Sequence, residues 1–140
     1  ISSNEDKKKL FFYHDKSPIN TLDEQVSKYQ KAKVKEIKEI NVLPLNKVLS
    51  FTNYEKINLL NIDVEGHELE VLKGLNFDKY KPEVIVVEFL DLKMKKLELK
   101  NNVLTNVTNS NIYKYLTGKN YQFVNWLHAD LVFVSNDFRD

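Results

Sequence analysis

The stretch INLLNIDVEGHELEVLKG, residues 57–74, decides the fold of this chain. It opens with a short apolar run, Ile57–Ile62, which predicts a buried strand. Three carboxylates and a histidine follow within six residues. The next apolar side chains lie at helical spacing up to Gly74, where a glycine favours the end of a helix. The pattern therefore predicts a strand, an acidic turn and a short helix.

The acidic turn, Asp63–Glu68, is the first candidate for a functional site. Ligands of open α/β sheets bind outside the carboxyl ends of parallel strands, and this turn follows a predicted strand directly. A hydrophobic core does not tolerate carboxylates that lack partners. We therefore expect the turn to face a crevice.

A second apolar run, Val84–Val87, follows Pro82 and ends in Glu88. A nearly continuous run of β-branched residues is typical of a strand that is buried on both faces. Two such strands joined by a helix predict a parallel βαβ unit with a right-handed crossover. In that arrangement Asp63 and Glu88 lie at the same edge of the sheet.

Weaker patterns extend this α/β assignment along the chain. Towards the N-terminus they predict strands over Lys9–His14 and at least Glu39–Leu43, with helices over Asp23–Lys31 and Pro44–Leu49. Towards the C-terminus they predict a helix over Asn111–Thr117 and a closing antiparallel hairpin of Tyr121–Trp126 and Asp130–Val134. Asp91–Asn111 has no strong period and is expected to be a variable insertion or cap. The predicted fold class is α/β, with a mostly parallel sheet.

Composition narrows the possible partners. Of 140 residues, 42% are apolar, which suffices for a core, and 21 basic residues nearly cancel 20 acidic ones. The charge therefore provides no general attraction for nucleic acid. The chain has no cysteine, which excludes disulfides and thiolate metal sites and suits a reducing, cytoplasmic location. No apolar run approaches the roughly 20 residues of a membrane span.

The central motif LNIDVEGHELEVLKG, residues 60–74, resembles that of the FkbM family of S-adenosylmethionine-dependent methyltransferases. Pro82–Glu88 resembles the next strand of that family, and Asp130–Val134 resembles its final strand. The loop Ser17–Leu22 is similar to a segment that precedes the motif. The resemblance implies a Rossmann-like fold, S-adenosylmethionine as cofactor, and O-methylation of a hydroxyl on a sugar, polyketide or lipid-type acceptor. The expected partner is therefore a small molecule or glycan, and the oligomeric state stays open.

The chain departs from the family in its glycines. Family members carry an upstream loop of the type Asp-x-Gly-x-Asn-x-Gly, whose backbone amides cradle the cofactor. The three glycines of this chain, Gly66, Gly74 and Gly118, form no such loop. The resemblance thus implies that residues 1–140 are a single partial domain. This domain would be the C-terminal portion of the catalytic fold, without the glycine loop, and would bind the cofactor poorly or not at all on its own.

Six residues carry the predicted chemistry. Asp63 is expected to line the crevice beside the transferred methyl group, as the resemblance implies, and thus to serve both catalysis and cofactor binding. The other predicted catalytic residues are Glu65, His67 and Glu88, and the other predicted cofactor contacts are Asn20 and Thr21.

Structural interpretations compete with each of these roles. Asp63 would instead cap the following helix, and the helix dipole alone would stabilise a carboxylate such as Glu68. His67 would be an exposed loop histidine, and Glu88 would make a structural hydrogen bond. Asn20 and Thr21 would belong to a plain polar turn.

Two further functions stay open at this point. Asp63, Glu65, His67, Glu68 and Glu88 together offer ligands that suit magnesium or calcium, although the leading interpretation assigns no metal. A truncated, non-catalytic domain that acts in binding or assembly is the other alternative.

Overall fold

The computed structural model describes residues 1–30, 32–89 and 104–139. The chain divides into two units. The first consists of Ile1–Tyr54 and Asp63–Asn76, and the second of Glu55–Ile62 and Phe77–Asp140. Their elements, in chain order, are β1 (Asp6–Phe12), α1 (Glu24–Tyr29), β2 (Glu36–Val42), α2 (Leu45–Leu49), β3 (Leu59–Ile62), α3 (Glu68–Lys73), α4 (Phe77–Tyr80), β4 (Val84–Glu88), α5 (Leu104–Asn109), α6 (Asn111–Thr117), β5 (Tyr121–Leu127), β6 (Asp130–Ser135) and α7 (Asn136–Arg139).

The first unit contains an antiparallel pair, β1 and β2, together with α1, α2 and α3. In this pair Asp6 lies opposite Val42 and Phe12 lies opposite Glu36. The predicted β1 was three residues too late at its start. The strand begins earlier because the residues from Asp6 onward already pair with β2, where Asp6 lies opposite Val42 and Lys7 lies opposite Asn41.

The second unit contains a four-stranded sheet in the order β3-β4-β6-β5. Strands β3 and β4 are parallel, with Leu59 opposite Val84 and Ile62 opposite Val87. Strand β6 is antiparallel to both β4 and β5. The α/β class, the parallel pair and the closing hairpin are thereby confirmed.

The expectation of a mostly parallel sheet is not met by the strands that the structure describes. One pairing of this sheet is parallel and two are antiparallel. The reason is that β6 inserts between β4 and β5, so the closing hairpin joins the sheet directly beside the parallel pair. A hairpin pattern shows that two strands pair with each other, but it does not show which of them meets the rest of the sheet.

Alternation along the central strands places the core of the second unit. Ile85 and Val87 of β4 and Leu131 and Phe133 of β6 are fully buried. Each such side chain contributes about 1.5–3 kcal/mol when it is removed from water. The ring of Phe133 packs 5.5 Å from that of Phe123 on β5. These contacts fix β4 and β6 side by side and hold the carboxyl end of β4 in place.

Helix prediction was accurate where capping residues marked the ends. The helix Asn111–Thr117 is confirmed, since Ser110 caps it at its start and Gly118 follows its last residue. The proposed insertion over 91–111 lies mostly outside the described residues, but α5 occupies part of it. The short helices α4 and α7, of four residues each, were not predicted. None of the helices in the described part of the chain is long and apolar enough to cross a membrane.

Candidate functional site

The acidic turn begins directly after the last residue of β3. Ile62, the last residue of β3, pairs with Val87, and β4 ends one residue later at Glu88. The two parallel strands therefore end at the same edge of their sheet, which confirms the predicted placement of the strand ends. Asp63 is the residue that follows β3 on the chain.

The backbone of the turn is left-handed at two successive residues. Glu65 has a φ of 55° and Gly66 has a φ of 94°. This conformation costs a residue with a side chain about 1–2 kcal/mol, so Glu65 adopts it only because its surroundings require it. A Cβ on Gly66 would lie 2.5 Å from the Cγ2 of Val26 and 3.4 Å from the Cβ of Asp23. Gly66 is thus needed both for its φ and for its close approach to α1.

The buried carboxylate of Glu68 is hydrogen-bonded to the backbone of this turn. Its side chain is 4% exposed, and its Oε1 accepts hydrogen bonds from the amides of Gly66, at 2.9 Å, and Val64, at 3.3 Å. Burial raises the pKa of the Glu68 carboxyl, while these backbone hydrogen bonds oppose the rise. The carboxylate therefore satisfies backbone amides of the turn that precedes α3.

Thr21 holds the same turn from the other side. It is 1% exposed, and its hydroxyl donates to the carbonyl oxygen of Glu65 at 2.6 Å. The hydroxyl oxygen of Thr21 also accepts a hydrogen bond from the amide of Asp23 at 2.9 Å. Thr21 is itself bridged to β1, since the amide of Phe11 donates to its carbonyl at 2.8 Å. The loop Ser17–Leu22 is thus hydrogen-bonded to both β1 and the acidic turn.

The side chain of Asn20, in the same loop, makes its hydrogen bonds to the backbone just after β1. Its Oδ1 accepts from the amide of Tyr13 at 2.9 Å, and its Nδ2 donates to the carbonyl of His14 at 3.0 Å. These contacts give Asn20 and Thr21 structural roles. Their predicted contact with a cofactor stays a prediction.

Glu65 and His67, two predicted catalytic residues of the turn, are half-buried. The Oε2 of Glu65 accepts from the Nε2 of Gln30 at 3.4 Å. Burial raises the pKa of the Glu65 carboxyl, and the charges of Asp63 and Glu68 raise it further. A carboxyl with a raised pKa is a stronger base than an ordinary one.

His67 lies against the start of the chain rather than in open solvent. Its Nε2 is 3.2 Å from the hydroxyl oxygen of Ser2. Burial lowers the pKa of His67, and the charge of Lys8 lowers it further, while Glu70 and Asp23 act in the opposite direction. The imidazole is therefore held in its neutral form at neutral pH.

Asp63 is exposed, and within the described residues its carboxylate has no hydrogen-bond partner. The N-cap of α3 is His67, whose side chain makes no capping bond. The interpretation of Asp63 as a helix cap is therefore wrong. Glu88 is half-buried at the end of β4. The catalytic roles of Asp63, Glu65, His67 and Glu88 stay predictions.

Sequence reasoning missed the part that the first residues play in this site. Ser2 is 1% exposed, and its amide donates to the carbonyl of Leu43 at 2.9 Å. The hydroxyl of Ser3 donates to the Oε2 of Glu70 at 2.5 Å. Two serines near the start of a sequence carry no periodic signal, so their docking against α3 could be seen only in the folded chain.

The lowered pKa of His67 predicts a loss of stability in acid. A group whose pKa is lower in the folded chain contributes stability above its unfolded pKa, about 6.5, and loses it as the pH falls. We expect His67→Gln to reduce the difference in unfolding free energy between pH 7 and pH 5, as measured by urea denaturation. His14→Gln, at an exposed position, is the control. Equal pH dependence in the His67→Gln variant and the wild type would contradict this account.

The sequence profile described as the Methyltransferase FkbM domain matches residues 2–123. The chain belongs to this family. No curated protein and no solved structure matches it significantly. The match spans both the loop Ser17–Leu22 and the acidic turn, so the features described above lie within the family domain.

FkbM membership implies S-adenosylmethionine as the methyl donor, and the glycines test whether these residues fit it. Gly66 packs against α1, and a Cβ on Gly74 would lie 2.2 Å from the carbonyl oxygen of Ser2. Gly118 ends α6. All three glycines are thus used in turns, packing or helix ends, and none lies in an amide cradle. Within residues 1–30, 32–89 and 104–139, these three glycines therefore do not supply a cradle of the kind that the cofactor needs.

Proposed function

We propose that this chain is the C-terminal part of the catalytic domain of an S-adenosylmethionine-dependent methyltransferase. Its acceptor would be a hydroxyl on a sugar, polyketide or lipid-type molecule. The observation that supports this best is the acidic turn of an FkbM chain, which directly follows a parallel strand and is held in a left-handed conformation. The parallel pair β3 and β4 would be this chain's share of a Rossmann-like sheet.

O-methylation requires a group that accepts the proton of the acceptor hydroxyl. Such a base must lie within hydrogen-bond reach of that proton. Asp63 suits this role because its carboxylate is exposed, whereas the carboxylate of Glu68 is buried against backbone amides. Glu65 and His67 are the alternative bases in the turn, and Glu88 is the proposed contact for the acceptor.

The cofactor cradle is proposed to come from a segment other than these 140 residues. The three glycines of the chain have other uses, and backbone amides of a glycine loop are what a cradle of this kind requires. The role of this chain would then be to supply the acceptor side of the site. It follows from this proposal that the cofactor binds the longer protein more tightly than it binds residues 1–140 alone.

The proposal is tested by binding and turnover in the native, full-length protein. S-adenosylhomocysteine is titrated calorimetrically into the full-length protein and into residues 1–140. We expect binding in the former and at least about tenfold weaker binding in the latter, a difference of about 1.4 kcal/mol or more. Turnover is then measured as formation of S-adenosylhomocysteine with a panel of hydroxyl acceptors. A full-length protein that binds neither the cofactor nor its product would contradict the proposal.

A further inference from the structure

The acidic turn is held at three of its backbone groups by two buried polar side chains. The hydroxyl of Thr21 donates to the carbonyl of Glu65 at 2.6 Å. The carboxylate of Glu68 accepts from the amides of Gly66 and Val64. Both side chains are almost completely buried, at 1% and 4% exposure. Water therefore cannot easily replace them as partners of these groups.

The two holding residues come from different parts of the chain. Glu68 is the first residue of α3, so it closes the turn locally. Thr21 lies 44 residues away in the sequence from Glu65 and is fixed by its bridge to β1. The turn is thus anchored to two separate elements of the first unit. Its left-handed residues cannot relax unless one of these anchors gives way.

We propose that Thr21 and Glu68 are positioning residues for methyl transfer, which hold the turn so that Asp63 and Glu65 keep their orientation towards the acceptor. This inference rests on the proposed function. In this proposal Thr21 acts by its hydrogen bond to the carbonyl of Glu65, and not by contact with the cofactor. Small displacements of a catalytic group reduce turnover strongly, so loss of either anchor should reduce kcat more than substrate binding.

The first test measures how well the Gly66 amide is protected by its hydrogen bond to Glu68, and it does not depend on activity. Hydrogen exchange of the Gly66 amide is followed by NMR in Glu68→Met and Glu68→Gln variants of this chain. The glutamine keeps an acceptor oxygen, whereas the methionine fills a similar volume without one. We expect the Gly66 amide to exchange about tenfold faster in Glu68→Met and nearly as in the wild type in Glu68→Gln. Unchanged exchange in the folded methionine variant would overturn the proposal.

The second test measures turnover in the full-length protein with Thr21→Val and Thr21→Ser. Valine has nearly the shape of threonine but lacks the hydroxyl, while serine keeps the hydroxyl. We expect kcat to fall about tenfold in Thr21→Val, with little change in either KM, and to be largely retained in Thr21→Ser. Thr117→Val is the matched control, since the hydroxyl of Thr117 also donates to a backbone carbonyl, that of Tyr113.

The outcomes separate this inference from the proposed function. An unchanged kcat in Thr21→Val would overturn the positioning role and leave the methyltransferase intact. A raised KM for S-adenosylmethionine with an unchanged kcat would make Thr21 a cofactor contact and would also overturn it. A wild-type protein that neither binds nor uses the cofactor would remove the proposed function, and with it the role of both residues.

Discussion

Replacement of Gly74 by alanine is expected to lower the free energy of unfolding by about 3 kcal/mol. The added Cβ would lie 2.2 Å from the carbonyl oxygen of Ser2 and 3.0 Å from the amide nitrogen of Leu45. Both contacts are with backbone atoms, so rotation of a side chain cannot relieve them. Overpacking of this kind typically costs about 1–3 kcal/mol, and here the backbone segments have little freedom to move.

The hydrogen bonds around Gly74 explain why the neighbours cannot withdraw. The amide of Ser2 donates to the carbonyl of Leu43 at 2.9 Å, and the amide of Asn46 donates to the carbonyl of Gly74 at 2.9 Å. A shift of either segment lengthens one of these bonds, and a shift of Ser2 also breaks its contact with His67. The added methyl group therefore strains the surrounding backbone, since no side chain can move to make room for it.

Thermal unfolding checks this expectation. A loss of about 3 kcal/mol corresponds to roughly 10 °C in Tm for a chain of this size. Gly118→Ala is the control, because Gly118 has a helical φ of −67° and its nearest neighbour would be the carbonyl oxygen of Lys114 at 3.2 Å. Similar, small losses in both variants would show that the close approach of Ser2 to Gly74 is not maintained in solution.

Gly74 also shows where sequence reasoning succeeded for an incomplete reason. The pattern correctly placed it at the end of a helix, where a glycine is common because it adopts a left-handed conformation. In the structure Gly74 does follow α3, but its φ is −76°, which any residue adopts. The glycine is required because Ser2 passes close to it, and a contact over 72 positions has no signature in a single sequence.

The parts that could be predicted are those that local patterns determine. Strand β4 was predicted with its observed bounds, and the order of strand, acidic turn and helix around Gly66 was correct, since apolar runs and glycines mark such boundaries. The turn itself was recognised as special. What sequence could not supply was the means by which it is held, because Thr21 and Glu68 differ in no local pattern from ordinary polar residues.

The place of the closing hairpin in the sheet was beyond sequence reasoning for a related reason. A helix between β3 and β4 predicts a parallel pair, since such crossovers join parallel strands. The hairpin of β5 and β6 carries no information about which strand it meets. Hydrogen bonds between β4 and β6 decide this, and they depend on the packing of Ile85 and Phe133 in one core.

Asp63→Asn is expected to reduce kcat of the full-length protein about a hundredfold or more. The substitution preserves the shape of the side chain and removes only its negative charge and its capacity as a base. General bases contribute about 10²–10⁴-fold to enzymatic rates. Asp63 is exposed and does not cap α3, so its replacement has no evident cost for the fold. We therefore expect Tm to change by no more than about 2 °C, since exposed substitutions cost about 0.5 kcal/mol or less.

The comparison of turnover with stability decides the role of Asp63. Asp15→Asn makes the same change of charge at another exposed position and should leave both kcat and Tm unaltered. If Asp63→Asn retains full turnover, Asp63 does not act in catalysis, and Glu65 and His67 become the groups to replace next. If turnover and Tm fall together, the carboxylate supports the turn that Thr21 and Glu68 hold. Only a large loss of kcat in a variant that unfolds like the wild type assigns chemistry to Asp63, because the backbone of the turn is then intact while the reaction is not.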